Sequence, residues 1–163
     1  MSNTEFLFDE NIKMAHEPID LNAAAITGAR ISMGKVCGRV AIVCIMGDSV
    51  GATVQFTLKQ HTAAVGGTSK VLAVANNYFK KVNSATVFTK VEPTVEASLY
   101  DLSVDFAADP GIVVFEVLPS QLDTNNGFAY LSVDIADSTA AKIASTFYIV
   151  DDAKFCPAYA EAL

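Results

Sequence analysis

The chain has 163 residues, 52% of them hydrophobic and only 18% charged, with a formal net charge of −7. That length suits one domain with a real core. The acidic balance argues against a nucleic-acid partner, since the densest basic cluster is the pair Lys80-Lys81. So few charges leave a monomer with much apolar surface, and part of it is expected to be covered by other subunits.

The start, MSNTEFLFDENIK, has early acids and no long apolar segment of the secretory kind. No apolar run reaches the length of a bilayer-spanning helix. The expectation is a soluble chain made in a cytoplasm, with no membrane partner. Residues 1–30 lack strand alternation and are expected to form an extended N-terminal arm. Phe6, Leu7 and Phe8 make an apolar knot in it, a candidate interface, because aromatic side chains are costly to leave in water. NAAAIT (Asn22 to Thr27) reads as one helical turn or an irregular stretch.

Residues 31–163 read as the folded domain. RVAIVCIM (Arg39 to Met46) is apolar at every position after its first, the pattern of a strand covered on both faces. ATVQFTLKQ (Ala52 to Gln60) alternates, with Val54, Phe56 and Leu58 on one side. HTAAVGGTSK is a loop turning at Gly66-Gly67; KVLAVA and TVFTKV read as short strands, the latter closed by Pro93. LYDLSVDF (Leu99 to Phe106) has the clearest period of two, with Tyr100, Leu102, Val104 and Phe106 on one face. ADPG turns the chain into the β-branched strand IVVFEV. Pro119-Ser120 opens a short connection, read as one helical turn capped by Ser120, which ends at the turn Asn125-Asn126-Gly127. FAYLSVDI places Ala129, Leu131, Val133 and Ile135 inward, and KIASTFYIV places Ile143, Phe147 and Ile149 inward. Seven or eight short strands without a long amphipathic helix predict an all-β, single-domain β-sandwich, jelly-roll or Ig-like.

GDSVG (Gly47 to Gly51) matches the G-x-S-x-G pattern of a nucleophile elbow, which would make Ser49 a catalytic serine. That chemistry needs a helix straight after the serine, and a His late in the chain. Here a period-two strand follows, and the last His is His61. The glycines, Asp48 and Ser49 therefore read as a hairpin turn between two strands.

The remaining candidates for chemistry are weak. DTNNGFAYLSVD (Asp123 to Asp134) is a poor calcium loop, with Gly127 one place early and Asp134 where a Glu belongs. Asp101 and Asp105, on one strand face, would stand roughly 13 Å apart, too far for a glycosidase pair. His16 and His61 have no third ligand at useful spacing. Gly66-Gly67 lacks the Lys-Ser/Thr and helix of a phosphate loop. Cys37, Cys44 and Cys156 are odd in number and lack a C-x-x-C pair, so free thiols are expected. No catalytic residue, cofactor or metal is assigned.

GRVAIVCIMGDSVGATVQFTLKQHTAAVGGTSKVL (Gly38 to Leu72) and IVVFEVLPSQLDTNNGFAYLSVDIAD (Ile112 to Asp137), after a segment DLN…TGARISMGK, resemble a group of small tailed-bacteriophage virion proteins. The three Cys and the length of segment 76–98 depart from that pattern. The resemblance implies a non-enzymatic capsid decoration (cement) protein or minor head protein. Its partner would be the major capsid protein, its state a homo-oligomer, trimer or dimer. Its location would be the virion's capsid surface, after synthesis in the host cytoplasm. The alternative is a tail-associated or carbohydrate-binding β-sandwich, for which Tyr78, Phe79, Phe128 and Tyr130 are the only plausible aromatic platform.

Overall fold

The computed structural model describes residues 12–34, 38–74, 76–83 and 85–150. Strand β1 (Ile12–Asp20) is followed by the two-residue strands β2 (Ile26–Thr27) and β3 (Ile31–Ser32), then by β4 (Val40–Met46) and β5 (Gln55–His61). Next come β6 (Ser69–Val71), β7 (Tyr78–Val82), β8 (Thr89–Val91) and β9 (Leu99–Asp101), which leads into the single helical turn α1 (Ser103–Phe106). The long strands β10 (Gly111–Val117), β11 (Tyr130–Ile135) and β12 (Ile143–Val150) complete the fold.

These strands form two antiparallel sheets, an all-β sandwich. The first runs β1-β12-β4-β10-β7-β8; the second runs β2-β11-β5-β6, with β3 also on β11 and β9 also on β5. The core lies between them. Val40, Ile42, Cys44 and Met46 of β4 are buried, as are Phe56 and Leu58 of β5 and Leu131, Val133 and Ile135 of β11. Phe56, Tyr78, Tyr100 and Phe115 form an aromatic cluster with ring centroids 4.8 to 5.7 Å apart, tilted or edge-on as ring quadrupoles prefer.

Part of the segment expected to be an arm is built into the sandwich. β1 pairs with β12 through residues 12–20, with two register shifts, and β2 pairs with β11. Pro18 and those irregularities break the outer edge of β1, which otherwise presents a template for another strand. Phe6, Leu7 and Phe8 lie outside the described residues.

Several expectations are corrected by the register. GDSVG is not a hairpin, because β4 and β5 belong to different sheets. Residues 47–54 cross from one sheet to the other. They are held by Ser49 N–H on Ala108 O at 3.0 Å, Ala52 N–H on Ala107 O at 2.8 Å and the buried Lys142, whose Nζ donates to Gly47 O at 2.8 Å. β4 is buried on one face only; on the other, Ile45 is 44% exposed. Ser120 is no cap either: the Gln121 side chain accepts from Leu118 N–H at 2.8 Å to close that turn.

LYDLSVDF is a strand only as far as Asp101. Asp101 Oδ1 accepts from both Ser103 N–H at 3.0 Å and Ser103 Oγ at 2.7 Å, which bends the chain into α1. Tyr100, Leu102 and Phe106 remain buried, while Val104 is 99% exposed. β12 presents the face opposite to the one expected. Its Ala144, Thr146, Tyr148 and Val150 point inward and Ile143 is 52% exposed. The cause is its pairing with β4, which sets Ala144, Thr146, Tyr148 and Val150 beside the inward Met46, Cys44, Ile42 and Val40. The buried Tyr148 hydroxyl then donates to Ala29 O at 2.8 Å, tying the chain ahead of β3 to the core.

Candidate interaction face and a buried histidine–serine pair

The two sheets have outer faces of opposite character. On the first sheet, β4 contributes Ala41, Val43 and Ile45, and β10 contributes Ile112, Val114 and Glu116, each pair in register. β12 adds Ile143, Ser145, Phe147 and Ile149, with Ile149 beside Ala41 and Phe147 beside Val43. β1 brings Ile12 next to Ile149 and Met14 next to Phe147; β7 brings Phe79 next to Val114 and Lys81 next to Ile112. The middle row thus reads Met14, Phe147, Val43, Val114, Phe79 and, on β8, Lys90. From β1 to β7 this apolar sheet surface spans about 20 Å across the strands and about 20 Å along them, near 400 Å² in projection. That is the size of the patches that are often functional on monomers. Charge stands at its margins. Glu116 pairs with Arg39 at 3.2 Å, Lys90 pairs with Glu92 at 2.5 Å, and Lys81 sits at the end of its row.

The outer face of the second sheet is polar. It gathers Thr57, Lys59 and His61 of β5 opposite Asp134, Ser132 and Tyr130 of β11. His61 Nε2 lies 2.8 Å from Ser132 Oγ, and the two residues are 2% and 0% exposed. Burial lowers the His61 pKa first, with Arg30 and Lys59 adding to the effect and Asp134 opposing it, so the ring stays neutral near pH 7. Asp134 is engaged by Lys59 Nζ at 2.6 Å. Arg30 Nη1 donates to Ala63 O at 2.8 Å and Gly66 O at 2.5 Å, fastening the loop between β5 and β6.

A serine hydrogen-bonded to histidine is the first half of a nucleophile–base arrangement. The second half requires a group that orients the other ring nitrogen. Here His61 Nδ1 is buried with no hydrogen-bond partner, and the nearby carboxylate of Asp134 lies on the serine side, 3.5 Å from Ser132 Oγ. Substrate atoms would reach Ser132 only if the sheet surface opened. The arrangement fixes the side chains that close this face, and Ser49 takes no part in it. Ser49 Oγ is buried without a partner on the inter-sheet crossing, while His61 ends β5, about 20 Å along the strand from Gln55. The β5 and β11 alternations put the His, the Ser and the Asp on outward positions; only the cross-strand register brings them together.

The other sequence candidates are dispersed. Tyr78 packs inward on Tyr100 and Phe115, Phe79 lies on the apolar outer face, and Phe128 is buried beneath Lys70. Tyr130 is on the second sheet, so the four aromatics form no common platform. Asp123 is held by Lys70 and by Asn126 Nδ2 at 2.8 Å, while Asp134 binds Lys59, so the two ends of the calcium-like stretch are engaged separately. Asp105 pairs with Lys80 at 2.6 Å from α1, not from a strand face shared with Asp101. Among the described residues, no group of three or more His, Cys, Asp or Glu is placed to hold a metal ion, and no helix is long and apolar enough to cross a membrane. Cys44 is a free buried thiol, its pKa pushed up to about 12 by desolvation; Cys37 and Cys156 lie outside the described residues. Compared with known protein families, with characterised proteins and with solved structures, the chain matches none.

Proposed function

We propose that this chain is a non-enzymatic structural protein that decorates or cements the capsid of a tailed phage. It works as a homo-oligomer bound to the major capsid protein. The observation that carries this reading is the apolar outer face of the first sheet, whose middle row runs Met14, Phe147, Val43, Val114 and Phe79. A surface of that kind is best stabilised when buried in an assembly. The resemblance of Gly38 to Leu72 and Ile112 to Asp137 to small virion proteins supports the same reading. The sealed His61–Ser132 pair is in keeping with it, since its hydrogen bonds are spent on closing a surface.

Particle composition tests the proposal. Purified virions should contain the chain at a fixed simple ratio to the major capsid protein, on the order of tens to hundreds of copies, where repeated weak contacts add avidity. Absence from washed particles, or a copy number of only a tail ring, would remove the capsid role.

A further inference from the structure

We infer that the outer face of the first sheet is covered by a second copy of this chain, in a two-fold dimer whose axis runs along the strands between β4 and β10. The inference rests on the reading of the chain as an assembly protein and names the partner of that face.

Three observations point to a like partner. The first is area. From β1 to β8 the sheet is about 24 Å wide and about 23 Å long, near 550 Å² in projection. A standard interface buries about 800 Å² per partner, and side-chain relief and the rim supply the difference. The second is charge. The chain carries −7, yet the centre of this face bears none. Two copies can therefore meet on an uncharged centre, while Glu116, near the end of β10 beside the axis, comes over the partner's Ala41 and keeps its own Arg39 at 3.2 Å.

The third is self-complementarity. Aligned sheets pack about 10 Å apart, with strand directions within about 30°. An axis along the strands reverses the strand order of the mate. It sets Val43 over the partner's Val114, Ile45 over the partner's Ile112 and Phe147 over the partner's Phe79, following the rows of the sheet. It also brings Lys81 over the β12–β1 side of the mate, where Glu17 is exposed next to His16, whose carbonyl accepts from Ser145 Oγ. Lys90 lands over Met14, and its methylene stem can cover that side chain. An axis across the strands would instead stack β7 on β7 and gather the lysines of both copies along one side.

Sedimentation equilibrium on the full chain tests the dimer. The wild type should show a dimer mass that dissociates on dilution. Val43→Glu places two carboxylates beside the axis and should raise the dissociation constant at least about 100-fold, as burial of an unpaired charge demands. Val43→Ile should remain dimeric, and far-UV circular dichroism of each variant checks the fold. Charge reversal tests the axis without touching the core. Lys81→Glu should weaken the dimer several-fold at low salt, and adding Glu17→Lys should restore it. The two residues lie on strands separated by the width of the sheet, so only a partner can restore the pair. A wild-type chain still monomeric at ~100 μM overturns the proposal, as does a dimer indifferent to Val43→Glu; failed rescue overturns the axis. Particle composition fails separately. A monomer found on virions leaves the capsid role standing, and a dimer missing from virions leaves the interface standing.

Discussion

His61 carries the clearest consequence of a single side chain. Its pKa lies below the ordinary 6.5, chiefly through burial, and that of His16 is lowered in the same way. A histidine kept neutral in the native state binds its proton first in the unfolded state. Stability is therefore whole above the unfolded value and is lost as pH falls from there toward the folded value, by up to about 1.4 kcal/mol per pH unit for each histidine. The acids with lowered pKa, Glu92, Asp101 and Asp123, act in a separate window near and below their ordinary 4.5 and 3.8. Urea midpoints should thus fall between pH 7 and pH 5, and His61→Gln should flatten part of that slope, leaving the share of His16. A midpoint that is level or rising toward pH 5 would show that the ring is not buried neutral. By sequence His61 stands too early in the chain to serve Ser49, and in the structure it lies against Ser132. No local pattern reveals that contact, because it depends on β5 lying beside β11.

Element by element, alternation was informative where one face was polar and silent where both were apolar. β5 and β11 were readable because Thr57, Lys59, Ser132 and Asp134 mark their outer face. β12 was not, since Ile143, Phe147 and Ile149 compete with Ala144, Thr146, Tyr148 and Val150, and only the pairing with β4 decides between them. That ambiguity has a physical source, for a strand apolar on both faces carries no polar residue to mark which face turns outward. The candidate face was hidden for the same reason; low charge implied covered surface, while its place emerged from register. α1 was lost because the turn chemistry of Asp101 and Ser103 overrode a period of two. Mutation separates the two readings of this element. Phe106→Ala should cost about 3–5 kcal/mol and Val104→Ala no more than about 0.5 kcal/mol by chemical denaturation. In a strand both side chains would be buried, so equal losses would restore the strand. Gly111, the first residue of β10, adds a constraint beside this turn, since a Cβ there would run into the Lys81 carbonyl oxygen and come within 2.5 Å of the Phe106 ring.

At the scale of the molecule, the two sheets are joined by features that cross between them. The 47–54 crossing is tied to Ala107 and Ala108, Lys142 reaches Gly47 O and Asp109 O, and the four-ring cluster draws on both sheets. Such cross-links favour opening as one unit. Cys44 reports on this directly. It faces the core from β4, between β12 and β10, is fully buried, and has its thiol pKa raised to about 12. A thiol reagent needs the thiolate and a path to it, and both require the sheets to part. With Cys37 and Cys156 changed to Ser, Cys44 should label in the native protein only through unfolding. Its labelling free energy should then match the equilibrium unfolding free energy, and its urea dependence should match the global slope. A shallow slope, or labelling within seconds at neutral pH, would mean that the first sheet frays around β4 on its own. The apolar outer surface would then belong to a pliable sheet, and a face-to-face dimer would have to order that sheet as it formed.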